Sequence, residues 1–297
     1  MITPPYLKKG DSIAIVATAK RVSKEEMEPA INIFKEWGLK VVLGKSLFKG
    51  NGEYFATDEQ RKKDLQQALD DKNVKAIIGA RGGYGTIRII DSLNFNLFKK
   101  SPKWIIGYSD ITVLHSHIHK NYSTSTIHSA MPIGFPNDQE SVNTLKNNLF
   151  GSPVFYSLQF NRLNRRGNAV AEVVGGNLSL LYALQGSKSD IKTDGKILFI
   201  EDVGEYLYHI DRMMVSLKRS GKLSKIKALI VGGLTEMKDA SIPFGKTAEE
   251  IILDVVKEFN YPLCFGFPAG HSEKNLAFPL GRKAKLNIAE KVEISFL

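Results

Sequence analysis

The chain has 297 residues, 43% of them hydrophobic, which is enough for two domains with buried cores. Its 41 basic and 31 acidic side chains give a formal net charge of +10, but the basic residues are dispersed, so we expect no nucleic-acid-binding surface. No apolar run approaches the roughly 18 residues of a membrane span, and the polar first residues, with Lys8, Lys9 and Asp11, lack the apolar core of a signal peptide, so we expect a cytoplasmic protein.

Strand and helix patterns alternate through residues 1–150, as in a parallel α/β domain. Ser23 and Glu26 form a capping box for a helix that ends at Gly38, and Thr57 with Gln60 caps the next helix. Predicted strands cover residues 12–17, 39–43, 76–79 and 104–107.

The remaining chain predicts a linker and a second domain. Residues 151–168 contain few helix signals, so we place the linker there. The second domain, 169–297, has predicted helices near residues 178–185, 207–219 and 247–259, predicted strands at 197–200 and 228–231, and a tail, 284–297, that alternates like edge strands.

Ser109 follows the strand pattern of residues 104–107 and precedes residues that can begin a helix. A serine at such a strand-to-helix turn projects its hydroxyl among free backbone N–H groups, where a nucleophile is useful. The alternative is that Ser109 only caps the helix. The G-x-S-x-G pattern of α/β-hydrolases is incomplete because Ile111 replaces its second glycine.

Two later turns supply the other residue types of a serine-acid-histidine triad. Glu201 and Asp202 follow the apolar run 197–200, and His271 follows a Gly/Pro-rich segment. Because ligand crevices form at the carboxyl ends of parallel strands, these residues can converge with the serine. The histidine would accept the serine proton and a carboxylate would orient the imidazole. We prefer Glu201 as the orienting acid, with Asp202 and Glu205 as alternatives.

A fourth turn is rich in glycine, with Gly79, Gly82, Gly83 and Gly85 within seven positions. One of its bare amides could pair with the amide after Ser109 to hold an oxyanion. A competing hypothesis is a non-catalytic nucleotide or sugar-phosphate binder, in which this turn cradles phosphate. The turn lacks the Lys-Ser/Thr pair of a P-loop and the G-x-G-x-x-G spacing, which weakens that hypothesis.

Taken together, these motifs resemble the LD-carboxypeptidase family of serine peptidases, which also contains the microcin-immunity hydrolases. The resemblance implies a flavodoxin-like parallel-sheet amino-terminal domain and a smaller, barrel-like, β-rich carboxy-terminal domain. The match runs from end to end and includes residues 5–17, Gly79 to Gly85, Gly107 to Asp110, Gly175 to Leu178, Ile200 to Asp202, and Gly270 with His271.

The resemblance also assigns roles to residues of this sequence. Ser109 would be the nucleophile, and Glu201 and His271 would complete the triad. The backbone N–H groups of Gly83 and Asp110 would form the oxyanion hole, with Gly82 as the alternative to Gly83.

The reaction implied by the resemblance removes the terminal D-alanine from a muropeptide tetrapeptide through an acyl-enzyme, during cell-wall recycling. The alternative within the family is cleavage of an amide in a peptidyl-nucleotide. Arg81 would bind a substrate carboxylate or form a structural salt bridge, and Asn177 would line the cleft or cap a helix. We expect no cofactor and no metal, and the resemblance implies a homodimer.

Two further features favour structural roles. His115, His117 and His119 are spaced by two and have no Glu-x-x-His context, so we interpret them as solvent-facing or packing residues rather than metal ligands. Cys264 is the single cysteine, which excludes an intramolecular disulfide, and its apolar neighbours predict a buried, inert thiol.

Overall fold

The computed structural model describes residues 1–49 and 56–297. Its strands are Ser12–Val16 (β1), Lys40–Leu43 (β2), Val74–Gly79 (β3), Trp104–Gly107 (β4), Thr126–His128 (β5), Phe155–Gln159 (β6), Gly167–Asn177 (β7), Ile197–Val203 (β8), Ala228–Thr235 (β9), Leu263–Cys264 (β10), Phe278–Leu280 (β11), Lys283–Ile288 (β12) and Lys291–Phe296 (β13). Its α-helices are Lys24–Glu36 (α1), Asp58–Asp70 (α2), Thr86–Ile89 (α3), Asn96–Lys100 (α4), Thr112–Tyr122 (α5), Gln139–Phe150 (α6), Leu178–Ala183 (α7), Leu207–Arg219 (α8) and Ala248–Val256 (α9). Within the described ranges, no helix is long and apolar enough to cross a membrane.

The first sheet has the strand order β11-β5-β4-β3-β1-β2. Its strands pair in parallel except β11, which is antiparallel to β5. The central strands are almost continuously apolar because both faces of the sheet are covered, and two separate hydrophobic clusters lie on these faces. Both predicted capping boxes are present, at Ser23 and at Thr57. The prediction of a parallel α/β amino-terminal region is therefore confirmed.

The second sheet has the order β10-β9-β8-β7-β12-β13-β6. Strands β7 to β10 pair in parallel, and β12, β13 and β6 extend the sheet in antiparallel pairing. One hydrophobic cluster lies on one face of this sheet, and helices α8 and α9 cover the other face. A bridge from Arg165 to Leu263 links the chain after β6 to β10, so the two ends of the sheet approach each other as in a barrel. The strands of the carboxy-terminal tail, β12 and β13, are interior strands rather than the predicted edge strands, because β6 pairs with β13 and forms the edge of the sheet.

Close packing joins the two sheets beside the start of α5. A Cβ at Gly176 would lie 2.5 Å from Thr112 Oγ1, so only glycine lets β7 pass this close to α5. Next to it, the Asn177 N–H donates to Thr112 Oγ1 at 3.0 Å. Strand β11, which follows the second-sheet strand β10 in the chain, pairs with β5 of the first sheet. The division at residues 151–168 stays a prediction, and this segment contains β6.

Candidate active site

Ser109 lies in the turn between β4 and α5 and has a strained backbone. Its φ is +57°, in the left-handed region that non-glycine residues adopt mainly under constraint. Residues Ser109–Ile111 form a short 3-10 helix, and no side chain caps it or α5. Within residues 1–49 and 56–297, the half-buried Ser109 hydroxyl makes no hydrogen bond. The hydroxyl is therefore not used as a helix cap.

The glycine-rich turn packs directly against Ser109. A Cβ at Gly82 would lie 2.9 Å from Ser109 Oγ, closer than carbon normally approaches, so glycine is required for this contact. The Asp110 carboxylate accepts hydrogen bonds from the Thr86 N–H at 2.9 Å and from the Thr86 hydroxyl at 2.5 Å. Because α3 begins at Thr86, Asp110 ties the end of the glycine turn to the Ser109 turn.

The backbone N–H groups of Gly83 and Asp110 are the predicted oxyanion donors. In the part of the chain that the structure describes, neither N–H makes a backbone hydrogen bond in a turn or loop. Asp110 lies in the first turn of its 3-10 helix, where N–H groups have no partner within the helix. Gly83 has a φ of +127°, a conformation that favours glycine.

Glu201 and His271 form a close pair on the second sheet. Glu201, in β8, is fully buried, and its Oε2 lies 2.7 Å from His271 Nδ1 and accepts from the His271 N–H at 3.1 Å. Burial disfavours the charged imidazole, but the hydrogen bond and negative charge of Glu201 outweigh it, so the pKa of His271 lies above its ordinary value. The pair fixes the imidazole through Nδ1 and leaves Nε2 for a reacting group.

The two halves of the candidate site are adjacent. The rings of Tyr108 and His271 lie 4.8 Å apart between centroids, and Tyr108 directly precedes Ser109. Burial, and then the charge of Glu201, raises the pKa of the Tyr108 phenol. The described residues show no hydrogen bond between Ser109 and His271, and apo sites often have looser contacts than substrate complexes.

The alternative acids bond elsewhere. Asp202 accepts from the Asn177 side chain at 3.0 Å, and from the N–H and hydroxyl of Ser179 at 2.8 and 2.6 Å. Burial, opposed by Ser179 and reinforced by Glu201, raises the pKa of Asp202 to about 6. Glu205 lies 2.8 Å from His209 Nδ1. Of the three acids, only Glu201 has a hydrogen bond to His271.

Asn177 and Arg81 were the sequence candidates for substrate binding. Asn177 caps α7, where its Oδ1 accepts from the Leu180 N–H at 3.2 Å, and its amide nitrogen is used by Asp202. Arg81 is half-buried, and its guanidinium has no protein partner among the described residues. The structural salt bridge considered for Arg81 is therefore not formed within that part of the chain.

The clustered histidines are buried packing residues. His115 contacts the Gly107 carbonyl at 2.9 Å, His117 the Ser189 hydroxyl at 2.9 Å, and His119 the Thr126 hydroxyl at 3.0 Å. Burial lowers the pKa of His115 to about 4. No group of side chains suited to a metal ion occurs in the described ranges. Cys264 is buried as predicted, and burial raises the pKa of its thiol to about 12.

The sequence analysis missed Asn275 and His128. Asn275 Oδ1 accepts from the Gly270 N–H at 2.9 Å and lies 3.1 Å from His128 Nε2. The His128 ring packs 5.9 Å from that of Tyr108, and burial lowers the pKa of His128 to about 3. Asn275 thus holds the turn that carries His271. Its short distance in sequence from His271 was the only signal that could have pointed to it.

Comparison with known proteins identifies the family of the chain. Residues 13–129 match the model of the LD-carboxypeptidase N-terminal domain, and residues 170–286 match that of the LD-carboxypeptidase C-terminal domain. The chain belongs to the LD-carboxypeptidase family. It is therefore a peptidase, and the family resemblance inferred from its motifs is confirmed.

Two curated relatives illustrate the similarity within the LD-carboxypeptidase family. A protein of Bacillus subtilis (strain 168) named "Probable murein peptide carboxypeptidase" is 36% identical over 297 residues, covering 98% of this chain and 93% of the relative. The "Murein tetrapeptide carboxypeptidase" of Pseudomonas aeruginosa is 28% identical over 289 residues, covering 92% of each protein.

Solved structures share the two-sheet fold. The muramoyltetrapeptide carboxypeptidase from Oxalobacter formigenes is 26% identical, with a TM-score of 0.87 over 96% of this chain and 98% of that one. The immunity protein MccF, in complex with glutamyl sulfamoyl guanosine, is 20% identical, with a TM-score of 0.87 over 99% of this chain and 98% of that one. At this identity, the second likeness shows the fold alone.

Proposed function

We propose that the protein is a serine carboxypeptidase that hydrolyses the bond to the terminal D-alanine of murein tetrapeptides through an acyl-enzyme on Ser109. The observation that carries the proposal is the Glu201–His271 pair, 2.7 Å apart, beside the turn that presents Ser109. The names of the relatives from B. subtilis and P. aeruginosa support murein peptides as substrates.

In the proposed mechanism, His271 Nε2 removes the Ser109 proton while Oγ attacks the carbonyl carbon before D-alanine. The N–H groups of Gly83 and Asp110 stabilise the oxyanion. The imidazolium, stabilised by Glu201, then protonates the leaving amine. A water molecule, deprotonated by His271, hydrolyses the ester and restores the serine.

Two basic side chains, one on the glycine turn and one beside it, suit the carboxylate of the leaving D-alanine. Arg81 has a free guanidinium within the described part of the chain. The stem of Lys20 lies against Gly83, since a Cβ there would be 2.8 Å from Lys20 Cγ. We propose that Arg81 binds the terminal carboxylate of the substrate, and direct substrate contact by Asn177 stays a prediction.

The test is to replace Ser109 with alanine and measure D-alanine release from a tetrapeptide by mass spectrometry. Turnover should fall by on the order of 10⁴-fold or more, because the acyl-enzyme cannot form. Ser101→Ala is the matched control, since Ser101 is exposed and outside the site. Undiminished turnover in Ser109→Ala would exclude the proposal.

The same assay separates this function from its alternatives. An immunity-type enzyme would cleave an amide in a peptidyl-nucleotide instead of releasing D-alanine, and a binding protein would bind ligand with no turnover in any variant. We further propose that the protein is cytoplasmic and forms a homodimer. Light scattering during size-exclusion chromatography measures the oligomeric state.

A further inference from the structure

A cavity of about 220 Å³ lies beside the candidate active site. Its lining includes Tyr108 and Gly270, the residues that directly precede Ser109 and His271 in the chain. A group bound in the cavity would therefore lie next to the bond that is cleaved. The mechanism proposed above assigns no part of the substrate to this space.

The cavity lining combines an apolar wall with carboxylates. Met131 and Ile133 supply apolar surface, whereas Asp138 and Glu273 supply negative charge. Among the described residues that line the cavity, none is a lysine or an arginine. An aliphatic chain with a positively charged end fits both features.

The two carboxylates differ in their surroundings. Partial burial opposes ionisation of Asp138, but hydrogen bonds from Ser141 and Asn275 outweigh it and hold the pKa of this carboxyl below its ordinary value. Glu273 is exposed and forms no ion pair in the described part of the chain. The neighbouring Lys274 forms its ion pair with Glu140 at 2.5 Å, and its charge also interacts, more weakly, with Asp138 and Glu273.

Asn275, another residue of the cavity lining, has an unused donor. Asn275 is 6% exposed, and its amide nitrogen is buried without a hydrogen-bond partner in the described chain. Its oxygen is fixed as the acceptor for the Gly270 N–H, so the nitrogen is identified as the donor. A buried donor without a partner is costly, so this side of the cavity lacks an acceptor.

We propose that this cavity binds the side chain of the diamino acid preceding D-alanine, and that it selects an aliphatic chain ending in an ammonium group alone. This inference rests on the proposed function and names its preferred substrate. Lysine has such a side chain, whereas the side chain of diaminopimelate ends in an ammonium and an additional carboxylate. Asp138 and Glu273 would repel that carboxylate, which makes the discrimination electrostatic.

The test compares kcat/KM for three tetrapeptides that differ only at the residue before D-alanine, namely lysine, norleucine and diaminopimelate. Norleucine keeps an aliphatic stem without the charge. We expect lysine to exceed norleucine a few-fold, since a partly exposed ion pair contributes up to about 1 kcal/mol. We expect lysine to exceed diaminopimelate about tenfold, because the added carboxylate of diaminopimelate offsets the charge of its ammonium and is repelled by Asp138 and Glu273.

Charge variants of Glu273 test the cause of the preference. Glu273→Gln should reduce the ratio of lysine to diaminopimelate about two- to fivefold, and Glu273→Lys should reduce it about tenfold or more. The control is Glu36→Lys, an identical charge change at an exposed position at the end of α1, and it should leave the ratio unchanged.

The outcomes separate the two proposals. If none of the three tetrapeptides releases D-alanine, the proposed function itself fails. If they are hydrolysed without preference for lysine, or if Glu273→Lys leaves the ratio unchanged, the cavity does not select by charge and this inference is overturned while the proposed function stands.

Discussion

Around Ser109 the candidate site is arranged by backbone conformation, whereas around His271 it is arranged by side-chain hydrogen bonds. The Ser109 turn has a φ of +57° beside a glycine-rich loop, and its hydroxyl is free of hydrogen bonds among the described residues. His271 is fixed by Glu201 at Nδ1, and Asn275 holds the preceding Gly270. The first half should therefore be sensitive to added volume, and the second to the loss of single polar atoms.

On the His271 side the largest effect is expected from Glu201→Gln, which keeps the side-chain shape and removes the charge. We expect kcat to fall about 10³- to 10⁴-fold, because the imidazolium formed during reaction loses its counter-charge. The proposed mechanism needs neutral His271, so kcat/KM should rise with pH through the pKa of His271, which is raised above 6.5. In the variant this limb should move to lower pH, and a pH profile of kcat/KM measures it.

Glu205→Gln is the matched control for the Glu201 variant. Glu205 also pairs with a histidine, His209, at 2.8 Å, but this pair has no contact with His271. We expect less than about a twofold change in kcat, as for substitutions outside the reacting groups. A large loss in Glu205→Gln with little loss in Glu201→Gln would reverse the assignment of the orienting acid.

On the serine side, Gly82→Ala should lower kcat about 10²-fold. The new Cβ would lie 2.9 Å from Ser109 Oγ, so the hydroxyl must shift from its position, and displacements of about 1 Å can lower the rate by that factor.

Gly195→Ala is the control, for which we expect a loss of stability without a loss of kcat. Gly195 has a φ of +71° with open space around it, so the change should cost about 1 kcal/mol of stability and leave kcat unaltered. Equal kcat losses in both variants would indicate general destabilisation.

The same contrast explains what could be predicted from the sequence. The strands and helices of the first sheet follow from local signals, such as the apolar run of β4 and the capping box at Ser23. Ser109, Glu201 and His271 each follow an apolar run or a Gly/Pro-rich turn. These local signals were enough to propose Ser109 and His271 and to narrow the acid to Glu201, Asp202 and Glu205, and the family resemblance favoured Glu201.

Contacts between distant segments have no such local signal. Strand β11 has only three residues, and its pairing with β5 places it in the first sheet, which no periodic pattern encodes. The bonds from Asn275 to His128 and Gly270, and from Thr86 to Asp110, depend on three-dimensional packing. These contacts became visible only in the folded chain.

Asn275→Ala should test whether the turn before His271 needs its anchor. The variant leaves the Gly270 N–H without its acceptor, which should cost about 1 to 3 kcal/mol of stability, and kcat should fall about tenfold as His271 loses its fixed position. Because Glu201 is intact, the acid limb of the pH profile should stay in place. Asn275→Asp, which retains the acceptor oxygen, should recover part of kcat, and Asn287→Ala, on β12, should have wild-type kcat. A purely structural role for Asn275 would lower stability and leave kcat unchanged.

The smallest effect is expected from Thr86→Val, which removes the hydroxyl that binds Asp110 but keeps the backbone N–H bond. We expect kcat to fall about three- to fivefold, since the glycine turn and the Ser109 turn remain joined by one bond, and stability to fall by about 1 kcal/mol.

Burial raises the pKa of Asp110, while the bonds from Thr86 oppose this rise. Because the pKa of Asp110 is raised in the folded protein, stability is lost as the pH rises through that pKa. Removing the Thr86 hydroxyl raises the pKa of Asp110 further. The destabilisation by Thr86→Val, measured by urea unfolding, should therefore be larger at about pH 8 than at about pH 5. Thr247→Val, which removes the cap of α9 far from the glycine turn, should lower stability without changing kcat. A Thr86→Val destabilisation that is the same at both pH values would show that the hydroxyl does not stabilise the Asp110 carboxylate.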